Sequence, residues 1–231
     1  MGDTVQQPEA LGILEDEQGH RPNLTEQVYE QLIGLLVRGE LRPGDVITER
    51  RMAQRLNASR TPVREALGRL EAEGLVDKQP SRGVMVRPFS TEALVEILNV
   101  RQLLEAEAAR LAAGRIPPDR IEVIREALQS LAGNSKPSLS EIWAVDDLLH
   151  GELANAAGNV LMAEIIRDLR RRTHVFNAYR NTLTPKFGVE ENTLLLDAVA
   201  SGDSEKARDA MFRHLDTVKL AIIERLSGVI R

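Results

Sequence analysis

ERRMAQRLNASRTPVREALGRLEAEGLVDKQPSRGVMVR, residues 49–87, is the stretch that decides the fold of this chain. Its apolar residues predict a short helix that begins after Thr48, because threonine is a good N-cap. Asn57-Ala58 then makes a tight turn. A second helix begins at Ser59 or Thr61, which are also suitable caps. The stretch therefore predicts two helices joined by a short turn.

A hairpin follows these two helices. Gly74 is a natural stop for the second helix, and residues 75–79 and 84–87 predict two short strands around a polar tip. Upstream, apolar spacing predicts a further helix over residues 24–38. This order of elements, one helix, then two helices joined by a turn, then a hairpin, predicts a winged helix-turn-helix at residues 24–88. We expect a flexible tail before it, at residues 1–23.

The second helix of the turn carries chemistry that suits double-stranded DNA. Arg60 and Arg64 are four residues apart and share one face, where a guanidinium can bind guanine O6 and N7 or a phosphate. Ser59 and Thr61 can donate to phosphate at the helix start. Solvated surface charge is the alternative for any single arginine. The full set of candidate DNA contacts is Arg50, Ser59, Arg60, Thr61, Arg64, Arg82 and Gly83.

These residues resemble the DNA-binding domain of the GntR family of bacterial regulators. The resemblance covers about residues 24–88. It is carried by Leu41-Arg42-Pro43-Gly44, Ser59-Arg60-Thr61-Pro62-Val63-Arg64-Glu65-Ala66-Leu67, Leu70, Glu73-Gly74-Leu75 and Arg82-Gly83. It implies that Arg50, Ser59, Arg60 and Arg64 contact operator DNA and that Arg82 and Gly83 form the wing tip. It also implies a homodimer on a palindromic operator.

Composition is consistent with this prediction and excludes other classes. The net charge of the 231-residue chain is −5, yet residues 24–88 hold 11 Lys and Arg against 9 Asp and Glu. Positive charge is thus localised in the predicted DNA-binding region. The chain has no cysteine, which suits a cytoplasmic protein. No apolar run reaches about 18 residues and no signal-peptide pattern is present, so we expect no membrane segment.

The second half of the chain, residues 89–231, predicts an all-helical antiparallel bundle for effector binding and dimerisation. Apolar residues recur at steps of three and four, and glycine or proline separates the segments. The predicted helices are residues 91–113, 118–132, 138–157, 160–180, 188–201 and 204–227. The fold class is therefore mainly α.

Polar residues on the apolar stripes of this bundle predict a pocket. Asp146 and His150 are four residues apart, and His214 could add a third ligand to a divalent metal. Arg101 could hold a carboxylate, and Asn192 also lies on an inward face. Burying these groups is costly unless they satisfy one another or a ligand. Core histidines with ordinary partners are the alternative.

This half resembles the FCD effector domain of the FadR branch of the GntR family. The matching residues are Arg101-x-x-Leu104-Glu105, Asp146-x-x-x-His150, Gly158-Asn159, Ser201-Gly202-Asp203 and Ala210-Met211-x-x-His214-Leu215. Many such domains hold zinc, nickel or manganese with one Asp and three His, and the metal and an arginine bind a small carboxylate. Asn192 departs from that pattern, which expects histidine. The site is either an oxygen-rich metal site or a metal-free one that binds the effector by hydrogen bonds.

Three functions are compatible with these residues. The first is a repressor whose operator binding responds to a small carboxylate. The second is a regulator that senses the metal itself, and the third is a metal-dependent enzyme that uses Asp146, His150 and His214. The sequence offers no distinct general base, so we expect no enzyme. The Arg170-Arg171-Arg172 run predicts a solvated helix face, and no site role follows for nearby His174.

Overall fold

The computed structural model describes residues 24–80, 82–88, 90–180 and 188–226. The predicted tail at residues 1–23 therefore lies outside the described residues, as does Ser81 in the hairpin tip. The first six elements are α1 (Leu24–Val37), β1 (Val46–Ile47), α2 (Glu49–Arg55), α3 (Arg60–Ala72), β2 (Val76–Gln79) and β3 (Gly83–Val86). They form the predicted winged helix-turn-helix.

The helix ends follow the local signals in the sequence. Thr48 caps α2 by accepting a hydrogen bond from the backbone N–H of Arg51. Asn57 adopts a positive φ of 50° in the turn between α2 and α3, a conformation that asparagine tolerates better than most residues. Ser59 is the N-cap residue of α3, although its side chain makes no capping hydrogen bond.

The sheet has one strand that the sequence analysis missed. β1 is only two residues long, too short to show an alternating pattern, and it pairs antiparallel with β3 through Val46–Met85 and Ile47–Val84. The strand order is β1-β3-β2. Because β3 lies in the middle, the wing hairpin is anchored to the segment that leads into α2.

The remaining described elements form the predicted helical bundle. They are α4 (Thr91–Ala112), α5 (Pro118–Gly133), α6 (Leu139–Ala156), α7 (Val160–Arg180), α8 (Val189–Ala200) and α9 (Ser204–Leu226). Each predicted helix is found within a residue or two of its expected bounds. Within the described ranges, no helix is long and apolar enough to span a membrane.

The two halves of the chain are in direct contact. Val175 of α7 is fully buried among the apolar residues of the N-terminal core. Val37, the last residue of α1, packs against the apolar cluster of Leu131, Ile142 and Trp143 in the bundle. Apolar contacts therefore link the N-terminal half to the bundle. The domain boundary between residues 88 and 89 stays a prediction.

Candidate functional site

The first turn of α3 presents a polar surface. Ser59, Arg60, Thr61 and Arg64 are all exposed, whereas Val63 on the opposite side of the helix is fully buried. Since the Ser59 hydroxyl makes no capping bond, it can donate to a phosphate together with the free N–H groups of the helix start. The predicted contacts of this helix thus share one accessible edge.

Arg64 has a partner that the sequence analysis did not identify. Its Nε and Nη2 donate to the two carboxylate oxygens of Glu49 in α2, at 2.7 and 2.8 Å. The hydrogen bonds from Arg64 also keep the pKa of Glu49 below its usual range. The bidentate pair fixes the direction of the guanidinium. It also brings the start of α2, where exposed Arg50 lies, next to α3.

Arg82 and Gly83 lie at the wing, and both are exposed. Gly83 has a φ of +97°, and a Cβ at this position would lie 2.2 Å from the carbonyl oxygen of Ile47. The same Cβ would approach the Cα of Thr48, the cap of α2. The packing of the sheet therefore demands glycine here, whether or not DNA also approaches it. The wing strand β3 thus lies against the segment that leads into α2.

A second site lies inside the bundle. Its cavity has a volume of about 50 Å³, enough for on the order of four water molecules. The lining residues come from α4, α6, α7 and α9 and from the residue that precedes α8. They are Arg101, Ile142, Trp143, Asp146, Thr173, His174, Asn177, Gly188, His214, Leu215 and Val218.

The structure brings Asp146, His150 and His214 together as the sequence predicts. Each offers one ligand atom, and these atoms lie within 4.8 Å of one another. The Nδ1 atom of His150 lies 2.5 Å from the Glu105 carboxylate, whereas Nε2 lies 3.5 Å from Asp146 Oδ1 and has no hydrogen-bond partner among the described residues. A carboxylate on the far nitrogen of a metal-binding histidine is the usual supporting contact. Burial lowers the pKa of His214 to about 3, which keeps that ring neutral.

Asn192 is buried near the cavity. Its Oδ1 atom is inaccessible to solvent and has no hydrogen-bond partner among the described residues. Its amide lies beside Gly188, which lines the cavity. A buried carbonyl oxygen without a partner is costly. Asn192 therefore has an acceptor available for a cation or for a donor on a ligand.

Arg101 lies at the cavity with one of its donors already engaged. Its Nε donates to Glu105 at 2.6 Å, and both side chains are almost fully buried. Burial would raise the pKa of Glu105, but the charge of Arg101 and the hydrogen bond with His150 outweigh it and hold the pKa well below its usual range. The terminal nitrogens Nη1 and Nη2 of Arg101 can donate hydrogen bonds to a carboxylate ligand.

The expectation that Arg170-Arg171-Arg172 is a solvated face is wrong, because none of the three side chains is exposed and Arg170 is buried. The Arg170 side chain is 4% exposed, and its Nη2 donates to Asp146 at 2.6 Å and to Asp147 at 2.9 Å. Burial would raise the pKa of Asp146, but the Arg170 charge outweighs it and holds the pKa well below its usual range. Arg170 contacts Oδ2 of Asp146, whereas Oδ1 lies 3.5 Å from His150 Nε2, close enough for these two atoms to share one cation.

His174 also belongs to the pocket, although the sequence analysis gave it no role. Its ring stacks on Trp143, with centroids 5.2 Å apart, and its Nε2 lies 3.5 Å from Asp146. Asp146, Asp147 and His174 form a second group whose ligand atoms are within 4.8 Å. The helical spacing could have revealed the roles of Arg170 and His174, because both share a helix face with the polar residues Thr173 and Asn177.

The pocket is connected to the N-terminal half through α7. On another face of that helix, Arg171 donates to Glu30 of α1 at 2.5 Å. The Arg171 guanidinium also lies 5.0 Å from the ring centre of Tyr29, and Arg69 of α3 lies 3.8 Å from the same ring. Tyr29 in turn donates to Glu73 at 2.5 Å. Side chains of α7, α1 and α3 are thus in continuous contact.

Two family models match the chain. Residues 24–86 match the model described as bacterial regulatory proteins of the gntR family. Residues 96–217, more than half of the chain, match the FCD domain. The two matches follow one another along the sequence, and they cover the edge of α3 and the pocket of the bundle respectively.

Relatives of known type extend the likeness over most of the chain. The Nta operon transcriptional regulator of Aminobacter aminovorans is 26% identical over 189 residues, 82% of this chain and 90% of that protein. The transcriptional repressor RspR of Escherichia coli is 25% identical over 202 residues, 86% and 89% of the two chains. The structure of E. coli McbR/YncC superposes with a TM-score of 0.79 at 26% identity, covering 89% of this chain and all of that one. These relatives are regulators and not enzymes.

Proposed function

Since this chain is a transcriptional regulator that belongs to the GntR family and carries an FCD domain, we propose that it is a bacterial repressor of the FadR subfamily. It binds operator DNA as a homodimer, and a small carboxylate in the bundle controls that binding. The observation that carries the proposal is the contact of α7 with both the pocket and α1. Its relative RspR is a transcriptional repressor.

The edge of α3 is the proposed DNA-reading surface. Arg60 and Arg64 enter the major groove, Ser59 and Thr61 contact phosphates, and Arg50 contacts the same groove from α2. Arg82 and Gly83 reach the adjacent minor groove. Their support is the exposure of all seven residues and the ion pair that joins Arg64 of α3 to Glu49 of α2.

Substituting Arg64 tests this surface. We expect Arg64→Ala to weaken specific operator binding by about 1–3 kcal/mol, the value of one bidentate base contact. Operator and scrambled duplexes titrated by fluorescence anisotropy give the difference. Arg120→Ala is the matched control, because Arg120 is an exposed, ion-paired arginine of α5. Equal operator affinity of Arg64→Ala and the wild type would overturn the assignment of Arg64.

The effector pocket is proposed to hold a divalent metal at Asp146, His150 and His214, with Asn192 as a weaker oxygen ligand. The residues fit such an ion, because the His150 Nε2 and Asn192 Oδ1 atoms are buried with no hydrogen-bond partner in the part of the chain that the structure describes. A metal bound here would supply a positive charge to which a carboxylate can bind. Arg101 supplies a second contact to that carboxylate. A cytoplasmic location fits this function.

The small size of the cavity limits the effector. With about 50 Å³ available, we expect a molecule of only a handful of non-hydrogen atoms. A thermal-shift panel of two- to six-carbon carboxylic acids, each with and without zinc, nickel or manganese, tests this expectation. The matching amides are the controls. Stabilisation by the metal alone, together with a change in operator affinity, would instead identify a metal sensor.

The route from the pocket to DNA runs through α7 and α1. Thr173 and His174 of α7 line the cavity, whereas Arg171 of the same helix is held by Glu30 and Tyr29 of α1. A ligand that moves α7 therefore acts on α1, and the Tyr29 contacts pass the change to α3. For two half-sites one helical turn apart, a shift of a few ångströms is enough to lose the fit.

A further inference from the structure

A second cavity lies where α1 of the N-terminal half meets α6 and α7 of the bundle. Its volume is about 200 Å³, against about 50 Å³ for the cavity of the effector pocket. Within the described ranges, no residue lines both cavities. We call the second one the junction cavity. Its lining includes Glu30 of α1, Asp147, Gly151 and Ala154 of α6, and Arg167 and Arg171 of α7.

Small residues leave this space open. Gly151 and Ala154 are three residues apart on α6 and so lie on one face of that helix. Ala154 packs in one cluster with Ala163 and Ile166 of α7, which also line the junction cavity. A Cβ at Gly151 would have nothing within 4 Å. The cavity therefore has an apolar floor that these side chains do not fill.

The charged residues that line the junction cavity carry a surplus of one positive charge. Arg170 donates to Asp147 at 2.9 Å, and Arg171 donates to Glu30 at 2.5 Å. Arg167 is exposed and forms no ion pair with any residue in the described ranges. The lining thus holds three guanidinium groups and two carboxylates, and the unmatched charge is that of Arg167.

The ion pair between α7 and α1 also leaves one donor free. Arg171 Nη1 is buried and has no hydrogen-bond partner among the described residues. The Asp168 carboxylate lies 3.6 Å from it, too far for a hydrogen bond. Leaving a buried donor unpaired is costly. An anion that reaches Arg171 would supply the missing acceptor.

We propose that the junction cavity binds an amphipathic monocarboxylate, at a site separate from the effector pocket. The carboxylate pairs with Arg167 and accepts a hydrogen bond from Arg171, because a guanidinium matches the planar geometry of a carboxylate. The apolar part of the ligand lies on Ala154, Ala163 and Ile166. A volume of about 200 Å³ has room for roughly fifteen non-hydrogen atoms, so this ligand is larger than the effector of the bundle pocket.

Such a ligand acts directly on the contact between the two halves of the chain. Because Arg171 Nη1 is buried, the carboxylate reaches it only when the guanidinium turns toward the cavity. That turn weakens the bond to Glu30 of α1 and the contact with the Tyr29 ring, so operator affinity changes. This last step rests on the proposed function, whereas binding in the junction cavity does not.

Isothermal titration calorimetry of the full chain with 4-phenylbutyrate tests the site. This probe has about a dozen non-hydrogen atoms, which suits the junction cavity and exceeds the effector cavity. We expect Arg167→Met to raise its dissociation constant about tenfold or more, the effect of losing one charge-assisted hydrogen bond. Gly151→Leu fills the floor and should weaken binding as much. Arg213→Met is the matched control, because Arg213 is an exposed helical arginine that lines neither cavity.

The results separate this site from the effector pocket. Weaker binding in both cavity variants, with unchanged circular dichroism and unchanged binding in Arg213→Met and in His214→Leu, supports the junction cavity. Equal binding in the wild type and both cavity variants, or no binding at about 5 mM probe, overturns it. Binding lost in His214→Leu but kept in both cavity variants overturns it as well, while the proposed effector pocket stands. Anisotropy titrations of operator should change with the probe in the wild type only, and an unchanged affinity overturns the coupling step.

Discussion

Replacing Gly83 with alanine should destabilise the winged helix-turn-helix by about 3 kcal/mol. A non-glycine residue at φ +97° costs about 1–3 kcal/mol by itself. The added Cβ would also lie 2.2 Å from the Ile47 carbonyl oxygen, more than 1 Å closer than an ordinary contact. Relieving this overlap means moving β3 away from β1, which breaks the Ile47–Val84 pairing.

Scanning calorimetry of the full chain measures the effect. A loss of about 3 kcal/mol lowers the Tm of a chain of this size by roughly 6–12 °C. Gly68→Ala is the matched control, because Gly68 is exposed within α3 and nothing lies within 4 Å of a Cβ there. That change should leave the Tm equal or raise it slightly, as alanine is the better helix former. An unchanged Tm in Gly83→Ala, with weakened operator binding, would refute the reasoning and show that the glycine serves DNA approach alone.

Three further predictions concern Glu49, Asn192 and His214. Glu49→Gln releases Arg64 and removes a negative charge. Anisotropy titrations should therefore show tighter binding to scrambled DNA and a smaller preference for the operator. Weaker binding to both duplexes would contradict this. Asn192→His adds an imidazole to the ligand set. Competition with a chelator should then show a zinc affinity that is higher by about tenfold or more, which corresponds to ~1.4 kcal/mol. An unchanged affinity would count against a metal there. The pKa of His214 falls from about 6.5 unfolded to about 3 folded, so the unfolded state binds more protons between these values and stability is lost as pH falls. In urea unfolding of the metal-free protein, His214 should lower the free energy of unfolding by about 2 kcal/mol between pH 7 and 5. This pH-dependent loss must disappear in His214→Leu if the reasoning holds.

Local signals made most of the fold predictable. Caps and breakers such as Thr48 and Gly74 act on backbone within a few residues of themselves, so they can be identified without tertiary information. β1 could not be found this way, because a two-residue strand exists only through its pairing with β3. The fold class was predicted correctly and the element order lacked only this strand.

The candidate site was less accessible to sequence reasoning. Asp146 and His150 were predictable because they are one helical turn apart. The Arg64–Glu49 pair joins residues 15 positions apart on two helices, and no local pattern reveals it. Arg170 was misjudged because three consecutive arginines suggest a solvated face, whereas the helix directs only the first of them at Asp146. The role of Asn192 likewise depends on the residues that surround it in the folded chain, which a local sequence pattern does not show.

The buried ion pairs of the pocket determine which molecules it can attract. Glu105 and Asp146 carry two negative charges, and Arg101 and Arg170 carry two positive ones. The charge balance of these four groups is zero, so without a metal they have no net attraction for an anion. A divalent ion would add two positive charges within the same few ångströms. Carboxylate binding should therefore depend on the metal, and a metal-free pocket should prefer an uncharged ligand.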